Sequence, residues 1–359
     1  MKILVFGYGH KSTAAVSNIL LNLSKSITEK EKIEIVLFGY GEKNSKQNVN
    51  ELISIVSCRD VFLKHFSFYR LARKISYIFK LDKPCLSWKR LYKKANTIFA
   101  NDRFDFVLGA SGYFMYMNAA YHFAKKNNIK FGMLNFDPFA SNITTLNKNK
   151  RLKLEQKWYD FASFVLQNRN GNKSLIKDEK SKISDFQIPM FKKEFVYSPK
   201  GSIVYGGSFY GKFRSEDELL RFFKKQSCQS EHFDVYSNCK NSFTGFSNVT
   251  TNDFVDSESF DEVCKHSKAL LVVGNNNVNA LPSKVIEAFS YKKPIIGINM
   301  SALQDVLTKY PFYLDSEDSN IFDKIDNFSE DDFIKYDVYS SFPELNPEIM
   351  VSLLLEKFK

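Results

Sequence analysis

The sequence predicts an α/β protein built from two Rossmann-like halves, and three observations carry that expectation. Short, continuously apolar runs alternate with helical patterns almost from end to end, as in parallel sheets buried on both faces. The alternation starts afresh after the Pro/Gly turn "YSPKGS" at 197–202, so it comes in two series. A chain of 359 residues, 44% of them hydrophobic, is long enough to bury at least one full core and suits two domains or one large α/β unit.

In the first series the expected strands are "KILVF" (2–6), "IEIVLF" (33–38), "FDFVLG" (104–109), "KFGMLNF" (130–136) and "SFVLQ" (163–167). The second series supplies "SIVYGG" (202–207), "FDVYS" (233–237), "ALLVV" (269–273) and "PIIGI" (294–298). Helical periodicity marks "STAAVSNILLNLSKSI" after the first strand, "SEDELLRFFKK" after the first strand of the second series, and "NPEIMVSLLLEKF" near the end. These elements divide the chain into a domain over 1–198, a second over 199–340 and a closing helix within 341–359. No sequence repeat or low-complexity tract interrupts them.

The net charge of +11 is unevenly spread. Residues 1–200 hold 35 Lys and Arg against 16 Asp and Glu, whereas 201–359 hold 16 against 24. A basic half joined to an acidic half suggests that the first half meets something anionic. The stretch 68–100 concentrates the charge in Arg70, Arg73, Lys74, Lys80, Lys83, Lys89, Arg90, Lys93 and Lys94, with Asp82 the single acid. Its interleaved aromatics and leucines fit a helix resting on lipid headgroups, or equally a solvated helix face. Zinc-finger and RRM signatures are missing, so nucleic acid is not an expected partner. Five scattered cysteines (Cys58, Cys85, Cys228, Cys239, Cys264) without a C-x-x-C pair argue against disulfides or zinc and for a reducing compartment. With no signal-like leader and no spanning run, the expected location is cytoplasmic, with peripheral contact to the inner face of the membrane open.

Several familiar motifs fail. "GYGHKST" after the first strand has His10 where a P-loop has glycine before its Lys-Ser pair. It also lacks the third small residue of a dinucleotide fingerprint, and the second strand ends "LFGYG" without an acid. Gly7 and Gly9 then mark a tight strand-to-helix turn, either plain or close to a ligand, with His10 beside it. No H-E-x-x-H, G-x-S-x-G or D-x-D occurs, so neither a metal clamp for phosphate nor a nucleophile elbow is expected.

The stretch "LPSKVIEAF" at 281–289 breaks two rules of helix initiation. Pro282 suits the first helical position, which makes Leu281 the N-cap, and leucine accepts no bond from the first-turn amides. Lys284 places positive charge at the positive end of the helix. Both faults become assets when an anion sits there, because free amides at Ser283 and Lys284, the dipole and an ammonium converge on a phosphate. The alternative is a plain surface pair of Lys284 with Glu287. By contrast, "SEDE" at 215–218 reads as a complete capping box, Ser215 with Glu218. The glycine-rich loop before it, "GGSFYGKFR" (206–214), brings Gly207, Ser208, Lys212 and Arg214. With Lys284, it would surround a diphosphate with three positive charges and no metal.

These residues resemble family-4-like glycosyltransferases of the GT-B fold, in which two Rossmann-like domains face each other across a cleft. "YGGSFYGKFRSEDELL" and "SKALLVVGNNNVNALPSKVIEAFSYKKPIIGI" look like that family's donor-binding half. "VLGASG", "LNFDPF" and "RLKLEQKWYDFASFVLQ" resemble its acceptor side more loosely. The resemblance implies Lys212 and Arg214 on the nucleotide diphosphate, Glu287 on the ribose, and Phe254 and Val255 nearest the base. It also implies Asp137 as the residue orienting the acceptor. Position 279 is Asn where the family carries Glu against the donor sugar, so Asn279 bears on which sugar is held.

The implied activity is transfer of a sugar from a nucleotide-diphosphate sugar to a lipid-linked or glycan acceptor, with retention, without metal or other cofactor. Two alternatives stay open: a catalytically silent partner of another transferase, and a sugar-nucleotide epimerase on the same fold.

Overall fold

Central strands, most of them buried on both faces, pair with more exposed edge strands into two sheets, each the centre of its own unit. The computed structural model describes residues 1–9, 15–41, 43–59, 85–111, 114–136, 148–169, 175–209, 214–226, 230–274 and 283–359, with backbone alone at 15, 85–87, 111, 114, 240 and 283. One unit comprises Met1–Pro189 with Pro347–Lys359, the other Met190–Asn346.

The first unit contains β1 (Lys2–Phe6), β2 (Glu34–Gly41), β3 (Ser45–Asn48), β4 (Ile53–Arg59), β5 (Phe106–Ser111), β6 (Lys130–Asn135), β7 (Phe164–Asn168) and β8 (Ile183–Phe186). They lie in the order β3-β4-β2-β1-β5-β6-β7-β8. Only the β3–β4 pairing is antiparallel among these. Helices α1 (Ala15–Lys30), α2 (Cys85–Ile98), α3 (Phe114–Asn127) and α4 (Lys148–Phe161) accompany the sheet. Leu91 and Ala95 of α2, Met117 and Ala120 of α3, and Trp158 and Tyr159 of α4 join Phe38, Val107, Phe131 and Val165 in one core. A separate apolar group sets Leu20, Leu23 and Ile27 of α1 against Ile3, Val5 and Leu108, with Leu354 and Phe358 of the closing helix Pro347–Phe358. That helix is why the chain's end belongs to the first unit.

The second unit contains β9 (Ile203–Gly206), β10 (Phe233–Tyr236), β11 (Val249–Asn252), β12 (Ala269–Val273), β13 (Ile295–Ile298) and β14 (Tyr313–Asp315). Their order is β11-β10-β9-β12-β13-β14, all parallel. Helices α5 (Asp217–Lys225), α6 (Ser257–Lys265) and α7 (Ser283–Ser290) connect them. The amphipathic α5 buries Leu219, Phe222 and Phe223 against Ile203, Phe233, Val235 and Leu271. At the opposite edge from the strand carboxyl ends, Lys268 pairs with Glu231 and Asp326, each at 2.7 Å.

The changeover between units falls at Pro189–Met190, ahead of the turn at 197–202 expected from sequence. Residues 190–198 already belong to the second unit by their bonds. The amides of Met190 and Lys193 donate to Leu345 O (2.8 Å) and Ser290 O (3.1 Å). The Lys293 ammonium donates to Val196 O at 2.5 Å, and Tyr197 Oη to Phe328 O at 3.0 Å. Among the described residues no helix is long and apolar enough to cross a membrane.

Candidate nucleotide site

In the second sheet, strands run outward from β9 to β11 on one side and from β12 to β14 on the other. The order reverses between β9 and β12, and in open parallel sheets ligands bind outside the carboxyl ends of the strands at such a reversal. At that edge β9 ends on Gly206, and α7 begins at Ser283 after the connection from β12.

Phe260, on α6, ties these two places together. A Cβ built on Gly206 would lie 1.9 Å from Phe260 Cζ, so the ring occupies the space a side chain would need. The Lys284 ammonium sits 5.4 Å from the centre of the same ring, within cation–π range. Next in sequence, the position of a Cβ on Gly207 is 3.5 Å from Arg214 Nη1. Gly206, Gly207, Arg214 and Lys284 are thus linked through short contacts at one sheet edge. Phe260 was not singled out in the sequence; its spacing on α6 gives no sign of a partner so far away along the chain.

Helix α7 places its residues as its periodicity predicts. Val285, Ile286, Ala288 and Phe289 are buried, and the Phe289 ring stacks on Phe342 at 4.8 Å. Lys284 and Glu287 face outward and form an ion pair at 2.6 Å, with side chains 40% and 35% exposed. The surface-pair alternative is therefore realised in the structure, and at this exposure the pair itself adds little stability. Beneath them, burial pushes the Cys264 thiol up to about 12, so it stays protonated and is no nucleophile at neutral pH.

The capping box expected at Ser215 does not form. Glu216 takes the N-cap position in a helical conformation without a side-chain cap bond. Ser215 Oγ accepts from the Asp217 amide at 3.1 Å and donates to the Asp217 carboxylate at 2.7 Å, while Glu218 turns to Arg221. The local Ser–Asp turn outcompetes the longer reach to residue 218.

Phe254 and Val255 leave the carboxyl end of β11 and are 50% and 36% exposed. Asp256 follows them as a true N-cap of α6, accepting from the Ser259 amide at 2.9 Å. Ser208 lies in the described start of the glycine-rich loop. His10, Asp137, Asn279, Lys212, Leu281 and Pro282 lie outside the described residues.

In the first unit the order reverses between β1 and β5. Gly7 leaves β1 at φ 147°, and a Cβ there would stand 2.7 Å from Ala110 Cβ, which restricts this position to glycine. The Gly9 amide donates to Ser17 Oγ at 3.0 Å, so this backbone is a tight turn held by α1. A buried polar group caps the core at the carboxyl ends of β6 and β7. Asn135 Nδ2 donates to Gln167 Oε1 at 2.7 Å and lies 3.4 Å from Glu155 Oε1, and Trp158 Nε1 donates to Asn118 Oδ1 at 3.0 Å. Glu155, 1% exposed on α4, went unremarked in the sequence because it sits within an otherwise basic, polar stretch. Among the described residues no group of three His, Cys, Asp or Glu side chains could hold a metal ion.

Neither a protein-family model nor a curated protein matches this sequence. Solved structures do match its fold. Sucrose-phosphate synthase from Thermosynechococcus elongatus superposes with a TM-score of 0.61 at 9% identity, over 99% of this chain and 98% of that one. An α,α-trehalose-phosphate synthase (UDP-forming) from Burkholderia xenovorans gives 0.59 at 8% identity, over the whole of both chains. UDP-GlcNAc 2-epimerase from Neisseria meningitidis, bound to UDP-GlcNAc, gives 0.51 at 11% identity, over 99% of this chain and all of that one. At such identities the likeness speaks for architecture alone. Two Rossmann-like sheets in two units, shared over full length with these proteins, make the fold GT-B.

Proposed function

We propose that this protein transfers a sugar from a nucleoside-diphosphate sugar to an acceptor, with the diphosphate held at the edge between β9 and β12. The carrying observation is the Phe260 ring, which gathers Gly206 and Lys284 at the point of strand reversal. In this reading the Lys284 ammonium, Arg214 and the first-turn amides of α7 stabilise the leaving diphosphate, with Lys212 added from the loop. Gly207 and Ser208 let the backbone approach it, Ser283 opens the helix, Glu287 holds the ribose, and Phe254 and Val255 flank the base. Asn279 lies on the sugar side, Asp137 orients the acceptor, and Gly9 and His10 border it. UDP is the first nucleotide to test, because the structural neighbours' names include UDP-forming and UDP-GlcNAc-bound enzymes.

The test is release of UDP from a panel of UDP-sugars, with and without added lipid-linked or glycan acceptors. Acceptor-dependent release, with product retaining the anomeric configuration by NMR, supports the reading. The 2-epimerase among the neighbours gives a second reading some weight. Conversion of UDP-GlcNAc into its 2-epimer without acceptor would replace the first reading by that one. UDP binding without turnover on any sugar or acceptor would leave a silent partner protein.

With cationic side chains rather than a D-x-D clamp assigned to the diphosphate, EDTA is expected to leave turnover intact. Loss of activity on chelation, restored by magnesium or manganese, would overturn the metal-free mechanism.

A lipid-linked acceptor fits the basic first half. Helix α2 turns Leu91 and Ala95 into the core and leaves Lys89 and Lys93 exposed. Lys89→Ser with Lys93→Ser is expected to weaken binding to vesicles of anionic lipid about fivefold for each charge, and high salt should mimic it. Vesicle sedimentation indifferent to both would mark this as an ordinary solvated face.

A further inference from the structure

Asn238 stands two residues beyond β10, exposed, and was given no part in the site above. Its side chain makes two bonds to the backbone of one residue in the neighbouring loop. The Phe209 amide donates to Asn238 Oδ1 at 2.9 Å, and Asn238 Nδ2 donates to Phe209 O at 3.2 Å. A carboxamide engaged on both edges reproduces what a paired strand offers.

The location gives this pairing its meaning. Regular pairing of β9 with β10 ends at Gly206 opposite Tyr236. One more backbone bond follows, from the Gly207 amide to Tyr236 O at 3.1 Å. Asn238 then continues the ladder past the end of the strand and holds the chain at Phe209 beside β10. The Phe209 ring, itself 6% exposed, stacks on Tyr205 at 5.2 Å and closes the segment from below. Gly207 and Ser208 are thus fixed at both ends, with their backbone at the sheet edge.

We infer that Asn238 is a positioning residue for the glycine-rich loop, setting its backbone for the diphosphate before any nucleotide arrives. This inference rests on the diphosphate site proposed above. Preorganisation cuts the ordering that binding must otherwise supply, so its loss appears as weaker affinity. Because Asn238 is exposed, its truncation removes the two bonds without opening a cavity in the core.

The test compares the parent with Asn238→Ala and Asn238→Asp, the full chain in each case. UDP affinity is read by calorimetry, loop order by hydrogen exchange over 203–209 in the unliganded protein, and stability by melting temperature. Asn238→Ala is expected to raise the Kd for UDP about five- to tenfold, with faster loop exchange and a melting temperature close to the parent's. Asn238→Asp keeps the acceptor for the Phe209 amide and loses the donor, so its loop exchange should fall between the two. A parent that binds UDP and an alanine variant of equal affinity would overturn the inference. So would weaker affinity matched by a collapse in melting temperature in both variants, which would make the role structural alone. Should the parent itself bind no UDP, the diphosphate reading fails first and this inference with it, whatever the exchange data show.

Discussion

Lys268→Met is expected to destabilise the second unit by about 3 kcal/mol, measured by denaturant unfolding near neutral pH. The side chain is 7% exposed and holds Glu231, 15% exposed, and Asp326, 57% exposed, both at 2.7 Å. Burial works against the Lys268 ammonium, but its bonds to Asp326 and Glu231 outweigh that and raise its pKa. Methionine fills most of the space yet leaves Glu231 as a nearly buried carboxylate without its cation. Asp326→Ala, by contrast, frees only a solvated partner and should cost far less. The sign with pH follows from the raised pKa. The stabilising contribution is complete below the unfolded value near 10.5 and fades as pH rises through the higher folded value. A loss below about 1 kcal/mol would mean Glu231 finds water or another partner when the lysine is gone.

Gly206→Ala should cost about 1–3 kcal/mol of stability and also weaken nucleotide binding. The new methyl would fall 1.9 Å from Phe260 Cζ and 2.6 Å from Cε2, so the ring has to leave. Tyr236 meets that ring edge-on at 5.5 Å, and the Lys284 ammonium rests over it, so both lose their support. Phe260→Ala in the same chain gives the methyl its space and should recover part of the stability lost to overpacking, though not the support for Lys284. Unequal recovery of stability and affinity is the signature of a ring that serves both. Full recovery of both in the double variant would show that Phe260 has no part in placing the lysine.

How far the sequence revealed this protein depended on where each element lies in its sheet. β1, β2, β5, β6, β7, β9, β12 and β13 are buried strands that continuous apolar runs announce, while β10, "FDVY", alternates buried Phe233 and Val235 with half-buried Asp234 and Tyr236. β3 reads "SKQN", with three of its four residues exposed, and carries no such run. β11 and β14 are edge strands of four and three residues. β4 is well buried, but the serines in "ISIVSCR" break its apolar run. At the candidate site, the Lys284–Glu287 pair was legible from its i,i+3 spacing, and Lys284 stood out as a cation at a helix start. Phe260 and Asn238 were not, since each acts through a contact with chain that is distant in sequence. The expected box at Ser215 misled for a related reason: two equally local patterns competed, and side-chain geometry chose the shorter.

Titration of UDP into the parent, Lys284→Met and Glu287→Ala by calorimetry asks whether the start of α7 holds a diphosphate. The parent is expected to bind, and Lys284→Met to lose roughly tenfold to a hundredfold in affinity, the worth of one charge-assisted contact. Glu287→Ala removes the proposed ribose contact but also frees Lys284 from its ion pair, so its loss should be smaller than that of Lys284→Met. Added salt should weaken the parent more than Lys284→Met. Equal UDP affinity in the parent and Lys284→Met, or no binding by the parent, would contradict a diphosphate site at the start of α7.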